Sequence, residues 1–208
     1  MKIIVMQVGM LSVNCYIVVS DSQNAAVIDP GGEAERILDY LQTNKLTLKR
    51  ILLTHGHIDH IGAVKVLKDR TGAEIYIHDL DAEMLNDPVK NLASPFRMAY
   101  QPVSPDHTFS DGSRISLDEI TFTVMHTPGH TKGSSVFLTG TTMFSGDTLF
   151  QGSIGSTDFY GGDYEAMQRS LKKLSELETD YTVLSGHGEK TTLGEEKKYN
   201  PYLGGAEL

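Results

Sequence analysis

Short apolar runs separated by turn residues set the rhythm of this chain. Residues 3–8 and 15–20 read as two strands joined by a turn, and 25–29 as a third, closed by Pro30-Gly31-Gly32. Over 33–44 the period changes: Ile37, Leu38 and Leu41 share one helix face, and Glu33 and Glu35 favour its N-terminal end. Residues 50–54 form a short apolar strand of the buried kind. A helix is expected over 61–70, with Ile61, Val64 and Leu67 aligned and Gly72 as its stop, followed by a strand over 74–78. Pro88, Pro95, Pro102 and Pro105 interrupt 86–110, which reads as a long surface excursion with at most a helical turn. Beyond it, 114–117 and 120–126 alternate like antiparallel strands, and 134–138 and 142–145 are two more. A helix over 164–177 buries Met167, Leu171, Leu174 and Leu177, and 181–184 is the last expected strand.

Composition narrows the class. With 208 residues, 39% hydrophobic and 22% charged, the chain suits one soluble globular domain over 1–208. A formal charge of −9 and no basic stripe speak against nucleic acid as a partner. No apolar stretch approaches the roughly 20 residues of a membrane helix, and Gln7, Gly9, Ser12 and Asn14 break up the apolar start. The single cysteine, Cys15, excludes an internal disulfide and points to a reducing compartment, so the cytoplasm is the expected location.

The run Thr54-His55-Gly56-His57-Ile58-Asp59-His60 changes the picture most. Imidazoles crowded around a carboxylate make poor sense for a core or a plain surface. They make good sense around a divalent ion, which neutralises the carboxylate and holds the rings neutral. His55 and His57 are two apart, so in extended backbone both rings can grip one ion. Asp59 and His60 fall where the chain bends into the next helix and can turn toward a neighbouring ion. Downstream, His130 follows the kink Pro128-Gly129, Asp147 sits at a strand end, and His187 lies between Gly186 and Gly188. These are enough ligands for a pair of metals, and a metal pair points to a hydrolase.

This ordered set, His55-x-His57-x-Asp59-His60, His130, Asp147 and His187, resembles the metallo-β-lactamase superfamily over essentially the whole chain. Thr127-Pro128-Gly129-His130-Thr131 and Gly146-Asp147-Thr148-Leu149-Phe150 are most similar to its glyoxalase II-like (hydroxyacylglutathione hydrolase-like) branch. Gly186-His187-Gly188, Gly194-Glu195-Glu196 and Asn200-Pro201-Tyr202 resemble small bacterial members of that branch. The resemblance implies an α/β fold: a four-layer αβ/βα sandwich of two mixed sheets flanked by helices. It implies one metal on His55, His57 and His130, and a second on Asp59, His60 and His187. Asp147 and a metal-bridging hydroxide would lie between them, with Asp59 also a proton acceptor and Asp29 a support behind the ligands. Zinc suits the nitrogen and oxygen set, as do iron and manganese. The implied activity is hydrolysis of a thioester of a small thiol, such as S-lactoylglutathione.

Departures from the branch matter for the substrate. Little chain follows His187, so the helical C-terminal domain with which full-length glyoxalase II binds glutathione is not expected. Ser156 stands where related proteins carry a basic residue, leaving Lys132 and Tyr160 as the nearest candidates to bind the thiol portion. Rival readings are a mono-iron persulfide dioxygenase using His55, His130 and Asp147, a lactonase of the same fold, or a metal-bound protein without turnover. Dioxygenase members carry a Pro-Ala-His-Asp-Tyr-like segment at the last histidine, from which Ser185-Gly186-His187-Gly188 departs. His78, His107 and His126 match no ligand position and read as structural or surface residues, and Cys15 as a small core residue.

Overall fold

The structure is a computed structural model that describes residues 1–204; the last four positions of the expected 1–208 domain lie outside the described residues. The first half forms a sheet of β1 (Lys2–Val8), β2 (Val13–Val19), β3 (Asn24–Ile28), β4 (Thr47–Leu52), β5 (Glu74–His78) and β6 (His107–Phe109), side by side in chain order. The β1, β2 and β3 strands are antiparallel neighbours, and β3 to β6 run parallel. The second sheet holds β7 (Arg114–Leu117), β8 (Ile120–His126), β9 (Ser135–Thr139), β10 (Thr142–Gly146), β11 (Thr182–Ser185) and β12 (Thr191–Thr192), in the order β12-β11-β10-β9-β8-β7. There β10 and β11 pair in parallel and the other neighbours antiparallel. The helices are α1 (Ala34–Thr43), α2 (Ile58–Ile61), α3 (Val64–Thr71), α4 (Tyr164–Ser175) and α5 (Leu193–Tyr199).

Strand alternation explains the layering. Every residue of β2 is buried, because both faces of its sheet are covered. Cys15, Ile17 and Val19 face one way and pack with Ile37 and Leu41 of α1 and Val64 and Leu67 of α3. Tyr16 and Val18 face the other way, against Phe122, Phe137 and Phe144 of the second sheet. On the outer side of that sheet, Val136, Met143 and Val183 meet Met167, Leu171 and Leu174 of α4. The result is helix, sheet, sheet, helix: the two mixed sheets expected from the resemblance. Fully burying a large apolar side chain contributes about 1.5–3 kcal/mol, so these layers supply most of what fixes the loops at their ends.

Several elements differ from the sequence reading. The helix expected over 61–70 is two pieces, α2 and α3, and begins earlier, so Asp59 and His60 lie on a helical turn. The break falls at Gly62, where a Cβ would come within 2.4 Å of the Gly31 carbonyl oxygen, while the Ala63 N–H donates to Pro30 O at 2.9 Å. The Ala63 N–H is thereby spent on that loop and not on the preceding turn of helix. The 86–110 excursion ends in the short strand β6, paired with β5. The strand expected over 50–54 starts earlier and stops at Leu52, since the Thr54 N–H is diverted to the Asp29 side chain. The 3-10 helix Asp79–Asn86, β12 and α5 were not expected at all.

Candidate metal centre

Strand ends converge on one place. Asp29 follows β3, His55 follows β4, His130 follows β8, Asp147 follows β10 and His187 follows β11. Carboxyl ends of parallel strands are where open α/β sheets gather loops and place ligands. Asp29 itself takes a left-handed backbone (φ 51°), which ends β3 and turns its carboxylate inward. His57 is extended (ψ 150°) and caps α2, so His60 follows on that helix's only turn. Gly186 lets the His187 loop pass close by: a Cβ there would come within 2.2 Å of Asp147 Oδ1 and 2.7 Å of His60 Cε1.

All seven expected ligand side chains meet here. His55, His57 and His130 form one group whose candidate ligand atoms lie within 4.8 Å of one another, and Asp59, His60 and His187 form a second. A third such group, His55, His60 and Asp147, overlaps both. Asp147 lies between: its Oδ1 is 3.3 Å from His60 Nε2, and its Oδ2 is 3.5 Å from His130 Nε2 and 3.7 Å from His187 Nε2. Asp59 Oδ2 is 3.2 Å from His187 Nε2 and 3.6 Å from His60 Nε2.

Hydrogen bonds behind these atoms choose the ring tautomers. Asp29 accepts from the Thr54 N–H at 2.8 Å and the Thr54 hydroxyl at 2.7 Å. The Thr54 oxygen in turn faces His55 Nδ1 at 3.1 Å. With its own proton committed to Asp29, that oxygen accepts, so Nδ1 carries the His55 proton and Nε2 is left as a lone pair. His60 Nδ1 donates directly to Asp29 at 3.0 Å, which turns its Nε2 toward Asp147 and Asp59. His130 Nδ1 donates to the Ser156 carbonyl at 2.6 Å, and its Nε2 faces His57 Nδ1 at 2.9 Å.

Electrostatics separate the two groups. Burial, reinforced by neighbouring rings, holds His55 well below the usual histidine pKa and pushes His57 down to about 3, so both rings are neutral. Burial also opposes a charge on His60, but Asp147, Asp59 and Asp29 outweigh it and raise its pKa well above the ordinary value. Asp147 is buried, which disfavours its anion, yet His60, His130 and His187 hold its carboxyl well below the usual range.

The donor set fits a bound divalent metal. Nε2 of His55, His57 and His60, and Oδ1 of Asp147, are buried without a hydrogen-bond partner among the described residues. An unmet buried polar atom costs about 1–3 kcal/mol, and a cation satisfies several such lone pairs at once. Imidazole nitrogens and carboxylate oxygens suit zinc, iron or manganese.

The remaining histidines lie apart from the cluster. His78 and His126 stack on each other at 4.1 Å, and His107 stacks on Tyr76 at 4.6 Å. The Tyr160 hydroxyl donates to Glu83 at 2.7 Å, and Lys132 Nζ lies 5.4 Å from the Tyr160 ring centre. Lys90, which the sequence did not single out, approaches the same ring at 5.2 Å. Ser156 contributes its backbone carbonyl, not a side-chain anchor. Also missed were Phe159, whose ring lies 5.9 Å from that of His57, and Phe96, 6.3 Å from Phe159. Both are exposed apolar side chains beside a polar site. Asp81 was missed as well; it is buried next to the histidine loops.

Fold and site define a class, and comparison with known proteins gives the same one. The model of the metallo-β-lactamase superfamily matches residues 8–187, and the chain belongs to that superfamily. Among curated relatives, hydroxyacylglutathione hydrolase GloC of Haemophilus influenzae is 41% identical over 208 residues, covering 98% of both chains. Among solved structures, the B3 metallo-β-lactamase BLEG-1 is 37% identical with a TM-score of 0.92, covering 98% of this chain and 100% of its own. TTHA1623 in a di-iron-bound form is 37% identical with a TM-score of 0.87, covering 96% of this chain and 100% of its own.

Proposed function

We propose that this protein is a binuclear metal-dependent hydrolase that cleaves a thioester of a small thiol. The observation that carries the reading is Asp147, a buried carboxylate set between two groups of ligand atoms, one of whose oxygens lacks a hydrogen-bond partner among the described residues. His55, His57 and His130 would hold one ion, and Asp59, His60 and His187 the other, with Asp147 shared. Bound there, divalent ions lower the pKa of a water toward neutrality and polarise a carbonyl. The chain's own part is orientation: Asp29 fixes the tautomer of His60 directly and of His55 through Thr54.

A thioester suits this arrangement. A thiolate departs readily, since its conjugate acid has a pKa of about 8.5, so no strong general acid is required. Asp59, partly exposed and held in its charged form by His60 and His187 against burial, can take a proton from an attacking water. The similarity to a protein named as a hydroxyacylglutathione hydrolase supports the acyl-thiol class. Lys132, beside Tyr160, supplies positive charge for an anionic thiol portion, while Lys90 on the same ring is paired with Glu83. Zinc is our first choice of metal; the di-iron form of TTHA1623 keeps iron in view. The single buried Cys15 leads us to place the protein in a reducing compartment, the cytoplasm.

A panel of acyl thiols, including S-lactoylglutathione, run alongside metal quantification tests this reading. Free thiol should be released, with two ions per chain. His57→Ala should lower metal content and cut activity by at least about 100-fold, the upper end of what loss of a ligand's support costs, while His107→Ala changes neither. One iron with brisk oxygen uptake on glutathione persulfide would contradict the reading, as would homoserine lactone turnover exceeding thioester turnover.

A further inference from the structure

We infer that Asp81 is a positioning residue that fixes the His55/His57/His130 cradle by tying together the two loops that carry it. The inference rests on the two-ion reading above. Asp81 lies in the 3-10 helix after β5 and is 1% exposed. Its Oδ2 accepts from the Gly56 N–H at 3.1 Å and from the Thr131 hydroxyl at 2.7 Å. Its Oδ1 accepts from the Gly133 N–H at 2.7 Å. Gly56 is the residue between His55 and His57, and Thr131 is the residue after His130. One carboxylate therefore clasps a loop of the first sheet and a loop of the second.

The chemistry of the clasp calls for an anion. All three groups facing Asp81 are donors, and an ionised carboxylate is acceptor-only with room for all of them. An amide at the same place would turn its N–H₂ toward one of those donors. Hydrogen bonds to a charged group are also about twice as strong as neutral ones. The fit is close: a Cβ on Gly133 would come within 2.7 Å of Asp81 Cγ. Among the described residues Asp81 has no salt bridge to a lysine or arginine, and burying an unpaired carboxylate makes little sense for stability alone, since an apolar residue of similar size avoids the desolvation cost.

The second ligand group has a clasp of a different kind. Asn14 Nδ2 donates to the carbonyls of Ser185 at 3.1 Å and Gly188 at 2.9 Å, and the Tyr16 hydroxyl donates to Ser185 O at 2.7 Å. These neutral donors hold the His187 loop. The His130 and His187 loops therefore have separate clasps, while Asp29 braces His55 and His60 alike.

The test is the rate at which cobalt(II), loaded in place of the native metal and followed by its visible absorption, is lost to excess chelator. Wild-type protein should lose two ions in two phases, assigned with His57→Ala and His187→Ala, each of which leaves one phase. Asp81→Asn should speed the His55/His57/His130 phase by about 10–100-fold and shift its absorption, and speed the other phase much less. Thr131→Val, which deletes one of the three bonds and leaves the carboxylate, should do the same to a smaller degree and serves if Asp81→Asn does not fold. Asn14→Ala should speed only the other phase. Two wild-type phases that Asp81→Asn and Thr131→Val leave unchanged, or speed equally, would overturn the assignment of Asp81 while sparing the two-ion reading. A wild-type protein that binds fewer than two ions would overturn both.

Discussion

His60 has its protonation chosen by its surroundings: Asp29 takes the proton on one nitrogen, and Asp59 and Asp147 face the other. Away from the cluster, His78 shows the opposite case. Burial, with His126 stacked above it, pushes its pKa down to about 4, against the pull of Asp79 and Asp111. An unfolded histidine titrates near 6.5, so as pH falls the unfolded chain takes the proton first. The stability His78 contributes is whole above about pH 6.5 and is lost as pH falls toward 4, at a slope of at most about 1.4 kcal/mol per pH unit. In urea unfolding of the metal-stripped protein at pH 7 and pH 5, His78→Gln should lose less stability than wild type across that interval. The candidate ligands were legible in the sequence because seven residues stand in the order that carries the family resemblance, with turn residues beside them. Asp81 was not, because its donors lie 25, 50 and 52 residues away and only folding makes them neighbours.

Elements with several turns of clear periodicity were readable. The α1 and α4 helices fall within a residue or two of expectation, since Ile37 and Leu41, or Met167, Leu171 and Leu174, mark one buried face over several turns. The strands β6, with three residues, and β12, with two, are too short for an alternation to register. The split between α2 and α3 was hidden for another reason: Gly62 is set by contact with Gly31, a partner from another loop. The tight passage of the His187 loop gives a prediction at this scale. Gly186→Ala would press a methyl group against Asp147 and His60. Overpacking of this kind costs about 1–3 kcal/mol, so the fold should persist in circular dichroism with a lowered denaturation midpoint, while metal content falls by more than half.

At the scale of the molecule, neither sheet holds a complete centre. His55, His57, Asp59 and His60 come with the first sheet; His130, Asp147 and His187 come with the second. The apolar layer between the sheets, with Phe122, Phe137 and Phe144 at its heart, sets their spacing and hence the distances among the ligand atoms. The fold class was readable because the resemblance spans nearly the whole chain, and the family model matches residues 8–187. The aromatic rim of Phe96 and Phe159 was not, because it joins the long excursion to a loop of the other half. The most direct measurement is anomalous diffraction at the metal absorption edge from crystals of the metal-saturated protein. Two peaks per chain are expected, one among His55, His57 and His130 and one among Asp59, His60 and His187, with Asp147 between them. A lone peak at full saturation, or none, would contradict the account.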